Sequence, residues 1–168
     1  MCIRDRAQAA REIRVHGQSA RYTHTRVGVG GRMDTLQCAV VLGKLERFEW
    51  ELQRRAEIGA RYEQLLAGVP GAGRVVVRSD RNSVWAQYTV FVEDRAKVQA
   101  ALQAQGIPTA VHYPKPLHRQ PAYAAYCCAE CCPESERAAQ RVMSLPMSAD
   151  LSEADQLRVV QALLDATR

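Results

Sequence analysis

Residues 28–55 read GVGGRMDTLQCAVVLGKLERFEWELQRR, and this stretch decides the fold. A glycine run leads into Asp34, and Gln37 follows three positions later, a pair typical of a helix N-terminus. Apolar residues and one glycine then recur at helical spacing. They are Val41, Leu45, Phe48, Leu52, Gly59, Tyr62 and Leu66. We therefore predict one long amphipathic helix over residues 34–68, which ends where a run rich in glycine and proline begins.

Around this helix, the pattern is that of a mixed α/β protein. Residues 7–15 favour a helix, whereas residues 1–6 follow no structural pattern and are taken as non-native. The predicted strands are residues 75–77, 84–92 and 107–112. The predicted later helices are residues 94–106, residues 133–143 and a last one from Ser152, with a break at 144–146. The last helix is expected to bury Leu157, Val160 and Leu164.

The composition is that of an ordinary globular protein, with 168 residues of which 47% are hydrophobic. No stretch approaches the roughly 18 consecutive apolar residues of a membrane-spanning helix. The first residues include arginines but no apolar run, so no signal peptide is recognisable. We expect a cytoplasmic protein without a membrane partner.

Two features of the composition leave other functions open. The net charge is +5 and only three of the 23 basic residues are lysine, which allows a small basic module that binds nucleic acid or another anion without catalysis. The chain lacks the aromatic and basic interleaving of such modules, so we expect no nucleic-acid partner.

Four cysteines form the block CCAECC at residues 127–132, which allows a metal-binding protein. Because adjacent cysteines splay their side chains, we expect no metal site.

Two groups of side chains are candidate binding residues. Arg26 and Arg32 flank the glycine run just before the predicted helix, where unpaired backbone N–H groups and guanidinium forks favour an anion. His112, Tyr113 and His118 lie at the end of a predicted strand and in the proline-rich loop after it. From the residues alone, these could equally be surface arginines, solvated loop histidines and a core tyrosine.

Three ordered motifs resemble those of one enzyme family. Residues 28–55 resemble the G-x-N-x-R-M-D-x-L-Q-A-A segment and long helix of the DegT/StrS-type sugar aminotransferases. VHYPKPLHRQPAY, at residues 111–123, resembles that family's H-Y-P-x-P-L-H loop. CPESERAAQRVMSLPMSADLSEADQ, at residues 132–156, is similar to its S-L-P-M region and C-terminal helices. The resemblance runs from about Arg11 to the C-terminus.

The resemblance implies an α/β fold of the aspartate-aminotransferase architecture (PLP fold type I) and pyridoxal 5′-phosphate as cofactor. It implies transfer of an amino group, usually from glutamate, to a nucleotide-linked keto sugar. The sequence of residues 111–123 most resembles that of the family branch whose enzymes aminate UDP-linked keto-uronic sugars for surface polysaccharide.

The resemblance also implies that this chain is a C-terminal portion. The family's Schiff-base lysine lies upstream of these motifs, and none of Lys44, Lys97 and Lys115 matches it. The chain alone is therefore expected to contain no catalytic residue and to be inactive. Residues 1–33 would be the tail of the large PLP-binding domain, residues 34–68 the connecting helix and residues 69–168 the small C-terminal domain.

Site residues follow from the same resemblance. Gly30 stands where the family has asparagine, and Arg32 matches the family arginine, so these two would contact the cofactor. Arg32, His112, Tyr113 and His118 would contact the nucleotide-sugar substrate by this resemblance, and Arg26, chosen from the sequence alone as an anion-binding residue, is expected to contact it too. In the family, the segment that contains this arginine reaches the partner subunit's active site, which implies a homodimer with shared active sites.

Overall fold

A computed structural model of the protein describes residues 3–123, 125–126, 128 and 130–168. In chain order the elements are α1 (Ile3–Ile13), β1 (Gln18–Ala20), β2 (Thr23–His24), α2 (Thr35–Leu45), α3 (Phe48–Leu65), β3 (Ala72–Arg74), β4 (Tyr88–Val92), α4 (Arg95–Ala104), α5 (Pro133–Arg141), β5 (Val142–Leu145) and α6 (Glu153–Thr167). Short 3₁₀ turns cover Leu117–Arg119 and Pro121–Tyr123. The chain forms two compact units, one that ends at Phe48 and one that spans Glu49–Arg168.

The N-terminal unit contains α1, the antiparallel pair β1–β2 and α2. Residues 3–6, which sequence reasoning left out, continue α1. Asp34 begins α2 as predicted, because one carboxylate oxygen accepts from the backbone N–H of Leu36 at 2.8 Å and of Gln37 at 3.4 Å. These bonds satisfy donors that every helix N-terminus leaves unpaired.

The prediction of a single helix over residues 34–68 is wrong. Helix α2 ends at Leu45, and α3 begins at Phe48. The backbone N–H of Arg47 donates to the carbonyl of Lys44 at 3.2 Å, three residues back, which tightens the last turn and interrupts the α-helical ladder. The boundary along the chain between the two units, after Phe48, lies close to this break and inside the predicted connecting helix, and the buried residues of α3 belong to the core of the C-terminal unit.

The C-terminal unit is built on an antiparallel sheet of order β3-β4-β5. In the central strand, Val90 pairs with Arg74 on one side and with Met143 on the other. Helix α4 begins at the N-cap Asp94 and ends before Gly106 (φ +72°), as predicted. Its buried face contacts α6. The largest fully buried side chains are Tyr62, Tyr88, Ile58, Leu66, Leu102, Ile107, Met143, Leu163, Gln156, Val90 and Val92.

All three predicted strands and one predicted helix need correction. Of residues 84–92, only Tyr88–Val92 form a strand, β4. Residues 75–77 follow β3 but pair with no strand among the described residues, and their valines are exposed. Of residues 107–112, only Ala110 joins the sheet, through a single bridge to Ser144. The helix predicted over residues 133–143 stops at Arg141. Strand β5 (Val142–Leu145) takes the last two residues of that helix and the first two of the predicted break at 144–146, and all four of its residues are buried. A short buried apolar run lacks the alternation that distinguishes a strand from a helix.

The buried face of α6 is also rotated from the predicted one. Of the predicted residues, Val160 is buried and Leu164 packs half-buried against the core, but Leu157 is 53% exposed, and Val159 and Leu163 are buried instead. The reason is Gln156, a polar residue that is fully buried because its amide donates to the carbonyl of Ile58 at 2.8 Å. Ser152 begins the helix as predicted, since its hydroxyl accepts from the backbone N–H of Asp155.

Among the residues described, no helix combines the length and apolar character needed to cross a membrane.

Candidate functional site

The glycine segment is fixed to the end of α1 by backbone hydrogen bonds. The N–H of Val29 donates to Ile13 at 2.8 Å, and the N–H of Gly31 donates to Arg14 at 2.8 Å. Gly28 is required by this close approach, because a Cβ there would lie 2.1 Å from the nitrogen of Gly17. The segment is therefore an ordered platform rather than a free loop.

Gly30 has a different neighbourhood. A Cβ at this position would lie 3.1 Å from Cε1 of the His16 imidazole, tight but against a side chain rather than against backbone. The missing side chain leaves the His16 ring beside the glycine backbone. An asparagine, the family residue at this position, would need the imidazole to shift by a few tenths of an ångström.

Arg32 is exposed and lies at the N-terminus of α2. It lines an open cavity of about 380 Å³ together with Gly30, Met33, Asp34 and Thr35. No hydrogen bond or ion pair engages its guanidinium within the described part of the chain. Because the Asp34 carboxylate is already bonded to the backbone of α2, the guanidinium is free to bind an anion.

Arg26 is engaged differently. Its Nε donates to Oε2 of Glu12 at 2.7 Å, and the other Glu12 oxygen accepts from the amide of Gln8 at 3.0 Å. The Arg26 hydrogen bond, with that from Gln8, holds the pKa of the Glu12 carboxyl below its usual value. Sequence reasoning missed Glu12, because no local pattern marks a pair of residues fourteen positions apart. The structure thus gives Arg26 a role in fastening its segment to α1.

His112 is half-buried on the loop after α4. Its Nδ1 is buried without a hydrogen-bond partner among the residues that the structure describes, and its ring meets that of Tyr113 edge-on with centroids 5.6 Å apart. It lines two open cavities of about 280 and 220 Å³. A polar atom with no protein partner at a cavity is available to a ligand.

Tyr113 is not a core tyrosine, since it is 73% exposed. With Pro114, Lys115, Leu117 and Gln120 it lines a mostly apolar cavity of about 400 Å³. An aromatic ring, a phenolic hydroxyl and a lysine ammonium share this cavity. Such a set suits a ring-shaped polar ligand that carries negative charge.

His118 is not a solvated loop histidine, because its side chain is only 5% exposed. Its Nε2 lies 2.9 Å from Oε1 of Glu136 on α5, and the same oxygen accepts from Nε of Arg119. The hydrogen bond from Arg119, followed by that from His118, lowers the pKa of Glu136. Sequence reasoning missed Glu136, which anchors the loop and positions His118.

The candidate residues are gathered into two groups. Arg26, Gly30 and Arg32 belong to the N-terminal unit, and the other group, His112, Tyr113 and His118, belongs to the C-terminal unit.

The Glu136 anchor predicts a specific pH dependence. Because the folded-state pKa of Glu136 is lowered, its carboxylate stabilises the fold above the ordinary value of 4.5, and this contribution is lost as the pH falls through the lowered pKa. Urea unfolding of wild type and Glu136→Gln should show a stability difference at pH 7 that shrinks toward pH 3. Glu134→Gln, on the same helix but 82% exposed, is the matched control and should have little effect at either pH. A difference for Glu136→Gln that is as large at pH 3 as at pH 7 would contradict the anchor.

Comparison with known proteins gives a consistent result. The DegT/DnrJ/EryC1/StrS aminotransferase family matches residues 4–164. The chain is 47% identical over 158 residues to the UDP-2-acetamido-2-deoxy-3-oxo-D-glucuronate aminotransferase of Pseudomonas aeruginosa, covering 94% of this chain and 43% of the relative. It is 37% identical to the dTDP-3-amino-3,4,6-trideoxy-alpha-D-glucose transaminase of Streptomyces venezuelae, covering 94% and 42%.

Comparison with solved structures points to the same family. The crystal structure of S. venezuelae DesV in complex with a ketimine intermediate superimposes with a TM-score of 0.89 at 36% identity, over 96% of this chain and 44% of that one. A DegT DnrJ EryC1 StrS aminotransferase from Brucella abortus has the same TM-score and identity, over 97% and 44%. The predicted family and fold class are confirmed, and the chain spans less than half the length of these relatives.

Proposed function

This chain belongs to the DegT/DnrJ/EryC1/StrS aminotransferase family, and from that premise we propose that it is the C-terminal portion of a pyridoxal-phosphate enzyme that aminates a nucleotide-linked keto sugar. The amino donor is glutamate, and the acceptor is a UDP-linked keto-uronic sugar destined for surface polysaccharide. The 47% identity to an enzyme named for a UDP-linked 3-oxo-glucuronate derivative supports this acceptor. We place the enzyme in the cytoplasm.

The observation that carries the proposal is the uncommitted guanidinium of Arg32 at the start of α2. A planar fork beside a helix N-terminus fits a phosphate dianion, whether of the cofactor or of the substrate. Bound pyridoxal phosphate would supply the electron sink for amino transfer. With glycine at position 30, the family's asparagine amide is lacking, so Arg32 and the fixed backbone hold the anion.

The loop of the C-terminal unit supplies the substrate contacts in this proposal. Tyr113 packs its exposed ring against the sugar nucleotide, and His112 uses its unpartnered Nδ1 to bond a substrate oxygen. His118 orients the loop through its hydrogen bond to Glu136. Arg26 supports Arg32 by holding the segment between them against Glu12.

The working enzyme is a homodimer in this proposal, with α2 at the subunit interface. None of the eleven residues of α2 is buried, although most are apolar. Leu36, Val40 and Leu42 are each more than 60% exposed. A contiguous apolar surface of this kind marks a protein interface.

A nucleic-acid-binding module is less well supported. Four arginines already form ion pairs with carboxylates within the fold, which lowers the positive charge left for a polyanion. They are Arg54, Arg61, Arg74 and Arg78. Binding to nucleic acid with a steep salt dependence would favour this alternative.

The test is a chimera in which residues 7–168 replace the matching 43% of the P. aeruginosa relative. We expect this chimera to transfer amino groups, and Arg32→Ala to weaken cofactor or sugar-nucleotide binding by roughly ten- to a hundredfold, the value of one charge-assisted hydrogen bond. Arg32→Lys keeps the charge but loses the planar guanidinium that can bind two oxygens of the anion. Its binding affinity should fall between those of wild type and Arg32→Ala. Arg158→Ala, an exposed control, should change nothing.

Subunit mixing tests the shared site. Arg32→Ala subunits mixed with subunits that lack the catalytic lysine should recover part of the activity, because the two defects then fall in different sites. Unchanged binding constants and turnover in Arg32→Ala, or no recovery on mixing, would contradict the role given to Arg32. A folded chimera with no transferase activity would contradict the proposed function itself.

A further inference from the structure

The cysteine block contains a close pair of thiols. The Sγ atoms of Cys131 and Cys132 lie 3.7 Å apart, so the expectation that adjacent cysteines splay is wrong for this pair. Cys127 lies outside the described residues. Cys131 is exposed and Cys132 is half-buried, so both sulfurs are within reach of a small ion.

Two local contacts orient the pair. The Cys131 thiol donates to the carbonyl of Cys128 at 3.2 Å, which holds the turn before α5. Cys132 is the N-cap of α5, and its side chain makes no capping hydrogen bond. The Cys132 thiol instead donates to the Cys131 sulfur, so the two sulfurs face each other at the first turn of α5.

A cation stands near the same pair. Arg119 has a raised pKa, mainly through its hydrogen bond to Glu136, and the charge of Cys131 adds to that increase. The Cys131 sulfur thus lies within electrostatic range of a guanidinium. Glu130 acts on Arg119 in the same direction, so the surroundings of the pair carry charges of both signs.

The sulfur separation matches a chelate better than a disulfide. Two metal–sulfur bonds of about 2.3 Å at a tetrahedral angle place the sulfurs about 3.8 Å apart. A disulfide between neighbouring residues would need Cα atoms that are only about 3.8 Å apart to span a bond that prefers about 4.4–6.8 Å. The sulfur spacing therefore fits two sulfurs that bind one ion better than it fits a disulfide.

We propose that Cys131 and Cys132 form a two-sulfur site for a soft, thiophilic metal cation, at the N-terminus of the helix that anchors the His118 loop. Binding forms two metal–sulfur bonds and releases the two thiol protons to water, with no change of oxidation state. No group of three or more metal-ligating side chains stands together among the described residues, and in this proposal water completes the coordination. Thiolate ligands select soft ions over Mg²⁺ or Ca²⁺.

The experiment titrates the reduced 168-residue chain with Cd²⁺ under inert gas and follows the ultraviolet thiolate-to-metal absorption band. We expect one equivalent to bind. Cys131→Ser and Cys132→Ser should each weaken binding by roughly a hundredfold, because each removes the intramolecular second ligand. Serine is a good N-cap, so Cys132→Ser should keep α5 folded, as circular dichroism would show.

Two cysteines provide matched controls. Cys38→Ser, in α2, and Cys128→Ser, which keeps the backbone carbonyl that Cys131 uses, should leave the band and the affinity unchanged. Absence of the band, or its persistence in the Cys131→Ser/Cys132→Ser double variant, would overturn the site. So would loss of binding in Cys128→Ser alone, since the second sulfur of the site would then be a different one.

Discussion

Mixed with pyridoxal phosphate, the 168-residue chain should give no borohydride-reducible adduct at a defined lysine and no amino-group transfer. A carbonyl-reactive lysine needs a desolvated pocket that favours its neutral amine. Lys44, Lys97 and Lys115 are all exposed in the structure, on α2, on α4 and on the proline-rich loop. None of them therefore has the desolvated surroundings that such a lysine needs. The expected effect is therefore complete absence of turnover.

Peptide mass spectrometry after reduction measures this directly. We expect only weak, scattered modification that Lys115→Arg does not reduce. The active control is the P. aeruginosa relative handled in the same way. A stoichiometric adduct at Lys115, together with turnover, would show that this chain contains its own catalytic lysine and would refute the prediction.

The largest expected effect on stability is at Leu163. This side chain is fully buried in the core of the C-terminal unit, so Leu163→Ala removes buried methyl groups and leaves a cavity. Such truncations cost about 2–5 kcal/mol. Leu157→Ala is the matched control on the same helix, because Leu157 is 53% exposed and its truncation should change stability by no more than about 0.5 kcal/mol.

Urea unfolding followed by circular dichroism compares the two variants. The pair also decides which face of α6 packs on the core, since apolar periodicity alone assigned Leu157 to that face. Equal losses of unfolding free energy in the two variants, or a larger loss in Leu157→Ala, would contradict the assignment of Leu163 rather than Leu157 to the buried face of α6.

The N-termini of three helices could be predicted from neighbouring residues alone. At Asp34, Asp94 and Ser152, the capping side chain bonds a backbone N–H two or three residues later. Such contacts depend only on the neighbouring residues, so the residue type and spacing predict them. The left-handed turn at Gly106 is predictable for the same reason.

The candidate site was only partly predictable. The sequence pattern selected Arg32, His112, Tyr113 and His118 as candidates, and their roles stay predictions. The partners that fix two of the candidates were missed. Glu12 lies fourteen residues from Arg26, and Glu136 lies eighteen residues from His118. Nothing in the intervening sequence marks those pairs, because they form only when separate elements are packed together.

The sequence by itself determined the family, through three motifs in order, and the caps that begin α2, α4 and α6. Tertiary structure alone decided the break between α2 and α3, the strand β5 and the buried face of α6. Gln156 illustrates the physical reason: a polar side chain enters the core only because the carbonyl of Ile58, 98 residues away in sequence, accepts its hydrogen bond. Local rules cannot anticipate a partner that only the assembled fold supplies.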